Sequence, residues 1–194
     1  MNVCILTSLE PTNPLIAQCV SQCERLGGEV YVLINELPFR TDNDTLYISF
    51  LGDVIIPESL ISEHMYNTHP GPPWYRGWGS RLRTIMDKQS IHASTLHKVA
   101  LPVDSGDIYK TIEFNVYQSD SMDDIHHRAE LASLALVTWL IDHYIDKGKP
   151  ALKVAEWSGK FMYNREYQKL RKKYINKTVA PQPATSEFNV TSMS

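Results

Sequence analysis

The chain has 194 residues, a net charge of −3, 43% hydrophobic residues and three cysteines. That length suits one domain of ordinary size with a proper core. The weak negative charge gives no general footprint for nucleic acid, and no run approaches the ~18 apolar residues that a membrane span needs. The sparse, odd cysteine count gives no disulfide framework and points to a reducing, cytoplasmic setting.

The start, Met1-Asn2-Val3-Cys4-Ile5-Leu6, lacks the basic leader of a signal peptide and reads as a strand over residues 2–7. Pro14 suits the first position of a helix whose apolar residues (Leu15, Ile16, Cys19, Val20, Cys23, Leu26) recur at helical spacing. Gly27-Gly28 ends it. Cys19 and Cys23 share a helical face and read as small core hydrophobes rather than metal ligands. Strands are predicted over residues 29–34 and 45–50, and a turn or two of helix over 57–63. Strand, helix, strand, loop, strand predicts an α/β fold with a mostly parallel open sheet of the doubly wound kind. The turn after the first strand, residues 8–13, contains no glycine, so a phosphate cradle and dinucleotide chemistry are not expected.

The run from Tyr66 to Gly77 holds three prolines and two glycines and reads as a stiff loop that displays Asn67 and His69. A helix over 80–88, a strand over 91–98, an acidic turn over 101–107 and a half-buried strand over 108–117 come next. Residues 119–121 cap a long core helix that runs to about Lys147, before Gly148 and Pro150. His126 and His127 near its start read as solvated surface. A small strand over 151–157, a turn at Trp157-Ser158-Gly159-Lys160 and a basic helix over 164–174 complete the ordered part. The basic helix (Arg165, Lys169, Arg171, Lys172, Lys173) reads as a solvated face, so no nucleic-acid partner is expected. One domain is predicted over 1–176, and a flexible tail over 177–194.

Asn67 and His69 are two apart, so an extended backbone points both side chains the same way. Asp104 sits in a Pro-Val-Asp-Ser-Gly turn after another strand. An amide donor, an imidazole and a carboxylate suit acyl transfer: the first two can stabilise an oxyanion, and the third can raise the imidazole pKa and help move a proton. No serine or cysteine lies beside a base, which disfavours a covalent acyl-enzyme. His92 and His97 lack the spacing of a zinc pair, so no metal is expected.

The run Asn67-Thr68-His69-Pro70, then Tyr75-Arg76-Gly77, then His97, then Asp104-Ser105-Gly106, resembles the folate-dependent formyltransferase family. That family includes glycinamide ribonucleotide formyltransferase, the catalytic domain of methionyl-tRNA formyltransferase, formyltetrahydrofolate hydrolases and sugar-nucleotide N-formyltransferases. The likeness spans about residues 45–117, and the first strand and helix loosely. It implies a Rossmann-like fold and transfer of a formyl group from 10-formyltetrahydrofolate to an amine. Asn67 and His69 would steady the oxyanion, with Asp104 positioning His69. The pterin would lie against Phe50, Leu51, Ile55 and Ile56 and against Val99, Ala100, Val103 and Asp104, mostly through backbone groups.

Departures from the family pattern bear on the acceptor. The family's Ser-Leu-Leu-Pro is here Gly71-Pro72-Pro73-Trp74, one residue shorter in total. Only 66 residues precede Asn67, which leaves room for one βα unit fewer than usual. With neither a glycine-rich turn nor an oligonucleotide-binding-like carboxyl domain, the expected acceptor is a small-molecule amine, such as an amino sugar nucleotide or a natural-product amine. Gly71, Pro72, Trp74, Tyr75, Arg76, Trp78 and His97 are its expected contacts. A hydrolase that releases formate and a non-catalytic folate-binding or scaffolding protein are the alternatives. The long helix and the 108–117 strand could serve a homodimer.

Overall fold

The computed structural model describes residues 1–148 and 153–179, and side chains to residue 175. The chain builds β1 (Asn2–Thr7), α1 (Pro14–Arg25), β2 (Glu29–Ile34), β3 (Thr45–Phe50), a short 3₁₀ turn (Glu58–Leu60), β4 (Met65–His69), α2 (Ser80–Met86), β5 (Ile91–Lys98), β6 (Ile108–Asn115), α3 (Met122–Lys147) and α4 (Asn164–Val179). The strands form one six-stranded sheet in the order β2-β1-β3-β4-β5-β6. β1 to β4 run parallel, and β5 and β6 are antiparallel to their neighbours, so the sheet is mixed.

The central strands are near-continuous apolar runs because both sheet faces are covered. Along β1, Val3 and Ile5 enter the larger core cluster while Cys4 and Leu6 enter a second one, as the two-residue period requires. The larger cluster packs under α1 (Leu15, Ile16, Cys19, Cys23) and α3 (Leu136, Val137, Leu140, Ile141). The opposite face carries the smaller cluster, closed by Leu37, Ile56, Leu60, Ile61 and Val99 from loops. α1 and α3 thus share one face, which is simpler than a doubly wound arrangement. Asn13 caps α1 by accepting from the Leu15 N–H, and Ser121 forms a capping box with Asp124 at the start of α3.

Several boundaries differ from expectation. Tyr66 to His69 is the last stretch of a central strand, not the start of the loop. The prolines that exclude a strand begin only at Pro70, so β4 keeps its full hydrogen-bond ladder up to that point. β6 ends at Asn115 rather than Tyr117. In the small strand expected over 151–157, Ala155 makes an isolated bridge to Ile108, and residues 151–152 lie outside the described residues. α4 continues to Val179, past the expected domain end at 176, and the rest of the expected tail lies outside the described residues. No helix among the described residues is long and apolar enough to cross a membrane.

Candidate active site

Two neighbouring strands set the centre. β4 pairs antiparallel with β5, placing Asn67 opposite His97 and His69 opposite Thr95. Residues opposite each other or two apart share a face, so Asn67, His69 and His97 converge without help from any loop. Asn67 Nδ2 lies 2.9 Å from His97 Nε2. The Asp104 carboxylate completes the group from the turn between β5 and β6, with Oδ2 3.4 Å from His69 Nδ1 and Oδ1 3.4 Å from His97 Nε2. Asp104 adopts a left-handed backbone (φ 53°), which swings its side chain inward from a turn that would otherwise face water.

The partners fix the tautomers. The Tyr75 carbonyl, 2.9 Å from His69 Nε2, can only accept, so that nitrogen carries the hydrogen. In the neutral ring the lone pair is then on Nδ1, facing Asp104. Likewise His97 Nδ1 donates to the Lys98 carbonyl at 2.7 Å, and its Nε2 accepts from Asn67. One of the two Asn67 N–H groups is thereby used, and the other is left for a ligand oxygen.

His69, His97 and Asp104 are buried, while Asn67 is half-buried. Burial pushes the His69 pKa below the ordinary imidazole value; Asp104 and the Tyr75 carbonyl pull upward without reversing it, and His97 and Arg83 add to the downward push. Burial also works against the Asp104 carboxylate, but the His69 and His97 rings and the Gly77 N–H outweigh it and hold its pKa well below the usual carboxylate range. Near pH 7 the centre is therefore a neutral imidazole beside an anion. Proton uptake at His69 Nδ1 creates a cation directly against that anion.

The Gly71–Trp78 segment supports this centre more than it faces outward. Gly71, Pro72 and Tyr75 are buried. A Cβ on Gly71 would lie 2.4 Å from His69 Nε2, so only glycine lets the chain pass so close to the ring. Tyr75 donates its hydroxyl to Asp87 at 2.5 Å. Gly77, at φ 74°, donates its N–H to Asp104 Oδ2 at 2.9 Å, and Arg76 Nε donates to the Asp104 carbonyl at 2.6 Å. Trp78 stacks on Tyr167 of α4. Trp74 is half-buried, with its ring edge against Tyr75.

The loops expected to hold a pterin adjoin each other, since Ile56 and Val99 meet in one cluster. The Phe50 side chain is fully buried in the core and leaves only its backbone for a ligand. Leu51 is half-buried at φ 51°, and Ile55 is exposed. Ala100 and Val103 are half-buried on the turn that carries Asp104. These loops thus offer apolar surface beside the Asn67–His69–Asp104 group, which fits a flat heterocycle.

Sequence reading misses Trp157. Its ring stands edge-on to His97 at 4.9 Å and to His69 at 5.8 Å, and its indole N–H donates to the Gly106 carbonyl at 2.8 Å. It lies far along the chain on a segment that reads as a turn, and only an aromatic beside a turn glycine could draw notice. Arg76, Ser105, Gly106, Asp107, Lys153 and Trp157 line a cavity of about 230 Å³ beside the Asp104 turn. Among the described residues, no group of three or more His, Cys, Asp or Glu side chains is placed to hold a metal ion.

No family model matches the chain, and no curated protein matches it in sequence. Solved structures do match. The formyltransferase PseJ from Anoxybacillus kamchatkensis, in complex with UDP-4,6-dideoxy-4-formamido-L-AltNAc and tetrahydrofolate, is similar at TM-score 0.72 and 17% identity, with 93% of each chain covered. The N-formyltransferase from Helicobacter canadensis, in complex with folinic acid and dTDP-3-aminofucose, is similar at TM-score 0.69 and 17% identity, covering 84% of this chain and 71% of that one. A likely sugar N-formyltransferase from Mycobacterium tuberculosis is similar at TM-score 0.67 and 26% identity, covering 88% and 78%. The chain has the Rossmann-like fold of the N-formyltransferases.

Proposed function

We propose that the protein transfers the formyl group of 10-formyltetrahydrofolate to the amine of a nucleotide-linked amino sugar, with Asn67, His69 and Asp104 as its catalytic residues. The observation that carries this is the Asn67–His69–Asp104 group, with His69 and Asp104 buried, beside two adjoining loops that offer apolar surface. The donor supplies an electrophilic formyl carbon. Asn67 offers its second N–H to the oxygen that becomes anionic when the amine attacks. His69 Nδ1 takes the proton that the amine loses, and Asp104 stabilises the resulting imidazolium. The same proton then returns to the nitrogen of the leaving folate, so the site ends as it began. Trp157 shields His69 from bulk water, which favours transfer to an amine over hydrolysis.

The fold match to enzymes solved with sugar nucleotides supports the acceptor class. The three free, buried cysteines agree with a reducing cytoplasm. Incubation with 10-formyltetrahydrofolate and a panel of amino sugar nucleotides tests the proposal. The expected product is a sugar formamide, formed by the wild type and not by His69→Ala. No donor binding, and no formamide from any acceptor, would sink it.

A further inference from the structure

Arg83 is a buried cation on α2 that the proposed chemistry leaves unused. It is 8% exposed. Among the described residues its hydrogen-bond partners are two main-chain carbonyls: Nη2 donates to the Arg76 oxygen at 2.7 Å and to the Trp78 oxygen at 3.2 Å. Its Nε is buried and finds no partner there. The Tyr75 ring lies against the guanidinium at 4.7 Å, and the Tyr75 hydroxyl is anchored to Asp87 at the end of the same helix. Burying a guanidinium costs several kcal/mol unless its surroundings compensate. Here the compensation comes from the Tyr75 ring, from the nearby Asp87 and Asp104 carboxylates and from one stretch of backbone.

That stretch alternates in what it does. The Tyr75 carbonyl holds His69 Nε2, the Arg76 carbonyl takes Arg83, the Gly77 N–H holds Asp104 Oδ2, and the Trp78 carbonyl takes Arg83 again. Arg83 therefore holds the carbonyl of the same peptide group whose N–H holds Asp104, and the carbonyl two residues further on. It also grips the residue directly after the carbonyl that sets the His69 tautomer. Both bonds leave one nitrogen, Nη2, whose place is set by the planar guanidinium lying against the Tyr75 ring; a lysine ammonium, on a shorter stem and without that plane, does not reproduce it.

We propose that Arg83 is a positioning residue for the His69–Asp104 pair. Its guanidinium holds the Arg76–Trp78 main chain in the geometry that presents the Tyr75 carbonyl and the Gly77 N–H to the two side chains. Its charge also opposes protonation of His69. The inference rests on reading His69 and Asp104 as the working pair, but not on what that pair acts upon. The charged and titratable groups that face His69 are Asp104 from the turn, His97 and His92 from β5, and Arg83 from α2, with the neutral Trp157 ring over its edge.

The test is an NMR titration of the full chain labelled with ¹⁵N-histidine and without any ligand, so failure of the formyl-transfer reading leaves it intact. In Arg83→Met the His69 midpoint is expected to rise by about half a pH unit or more, because one opposing charge is gone. The His69 Nε2 resonance should move as its hydrogen bond to Tyr75 loosens. In Arg83→Lys the charge remains and the planar guanidinium that places Nη2 is lost. The midpoint should then stay near wild type, while the Nε2 resonance and the Gly77 amide proton both move. A folded Arg83→Met protein with the His69 midpoint and ring shifts of the wild type overturns the proposal. If Arg83→Met does not fold, an Arg83→Lys protein with wild-type Nε2 and Gly77 resonances does the same.

Discussion

The candidate site is held in two different ways. Asn67, His69 and His97 ride on paired strands, where sheet register alone sets their spacing. Asp104, Gly77 and Trp157 come from turns and loops, and each is fixed by specific hydrogen bonds rather than by a ladder. The strand-borne half is rigid by construction. The loop-borne half depends on groups that lie elsewhere, such as Arg83 and the close approach of Gly71. The geometry of the candidate site is therefore least constrained on its loop-borne side, and substitutions should separate the two halves.

The largest effect is expected at the strand-borne His69. On the proposed mechanism, His69→Ala removes the proton acceptor and is expected to lower kcat/KM by about 10³-fold, within the range for a lost general base. The fold should survive, because β4 keeps its ladder on both sides, while the cavity and the Asp104 carboxylate left without His69 lower the melting temperature. Steady-state formylation with a calorimetric scan of the same sample checks both. A loss of only a few-fold in rate would remove His69 from the chemistry.

Next in size is a response to acid that comes from β5 and not from the site. His92 is fully buried, 2.7 Å from the Thr84 hydroxyl and edge-on to Phe114, and burial pushes its pKa down to about 4. Its folded value lies below its unfolded one. As pH falls from about 6.5 to about 4, the unfolded chain takes up a proton that the folded chain refuses. The stability present above that window is thus lost through it, by roughly 3 kcal/mol. Melting temperature against pH should show this fall, and His92→Gln should flatten it. An unchanged slope would assign the acid loss to other groups, the buried His69 and the carboxylates among them.

The third test strikes the loop-borne half. Gly71→Ala would put a methyl group 2.4 Å from His69 Nε2 and 2.7 Å from the Ser80 Cβ. Something must move, and the ring can do so only by leaving the Tyr75 carbonyl. Misplacement of a reacting group by about 1 Å costs on the order of 10²-fold in rate. The expected result is a fall in kcat of that size with the KM for the donor nearly unchanged. A KM effect with kcat preserved would mean that Gly71 touches substrate.

The same division explains what is legible in the sequence. Strands over 2–7, 29–34, 45–50 and 91–98, and the cap at residue 121, are legible because period-two runs and capping residues are local signals. The Tyr66–His69 end of β4 reads as loop because three prolines close behind it dominate the pattern, although the ladder is lost only from Pro70 onward. The clustering of Asn67 and His69 is legible from their spacing. The role of Tyr75 is not. An aromatic in a proline-rich loop suggests a ligand contact, and only the tertiary structure shows its ring beneath Arg83 and its hydroxyl on Asp87. Trp157 is hidden for the same reason. It reaches the site across 53 residues from Asp104, through contacts that no local pattern encodes.

Trp78 gives the smallest effect and the finest discrimination. Its position after Tyr75-Arg76-Gly77 suggests contact with the acceptor. In the structure its ring is 43% exposed and stacks on Tyr167 at 6.3 Å, while its N–H donates to the Met162 carbonyl at 3.0 Å. The first contact ties the loop to α4 and the second to the segment that leads into it, and neither touches Asn67, His69 or Asp104. An aromatic pair of this kind contributes about 0.5–1.5 kcal/mol beyond its burial, and the exposed half of the ring argues for the lower end. Trp78→Ala should therefore cost about 0.5 kcal/mol in a denaturant melt and leave the acceptor KM unchanged, because the main-chain hydrogen bond to Met162 survives the substitution. If the acceptor KM rises several-fold while stability holds, the exposed face of Trp78 belongs to the acceptor, and the loop-borne half extends one residue further toward solvent than its hydrogen bonds alone reveal.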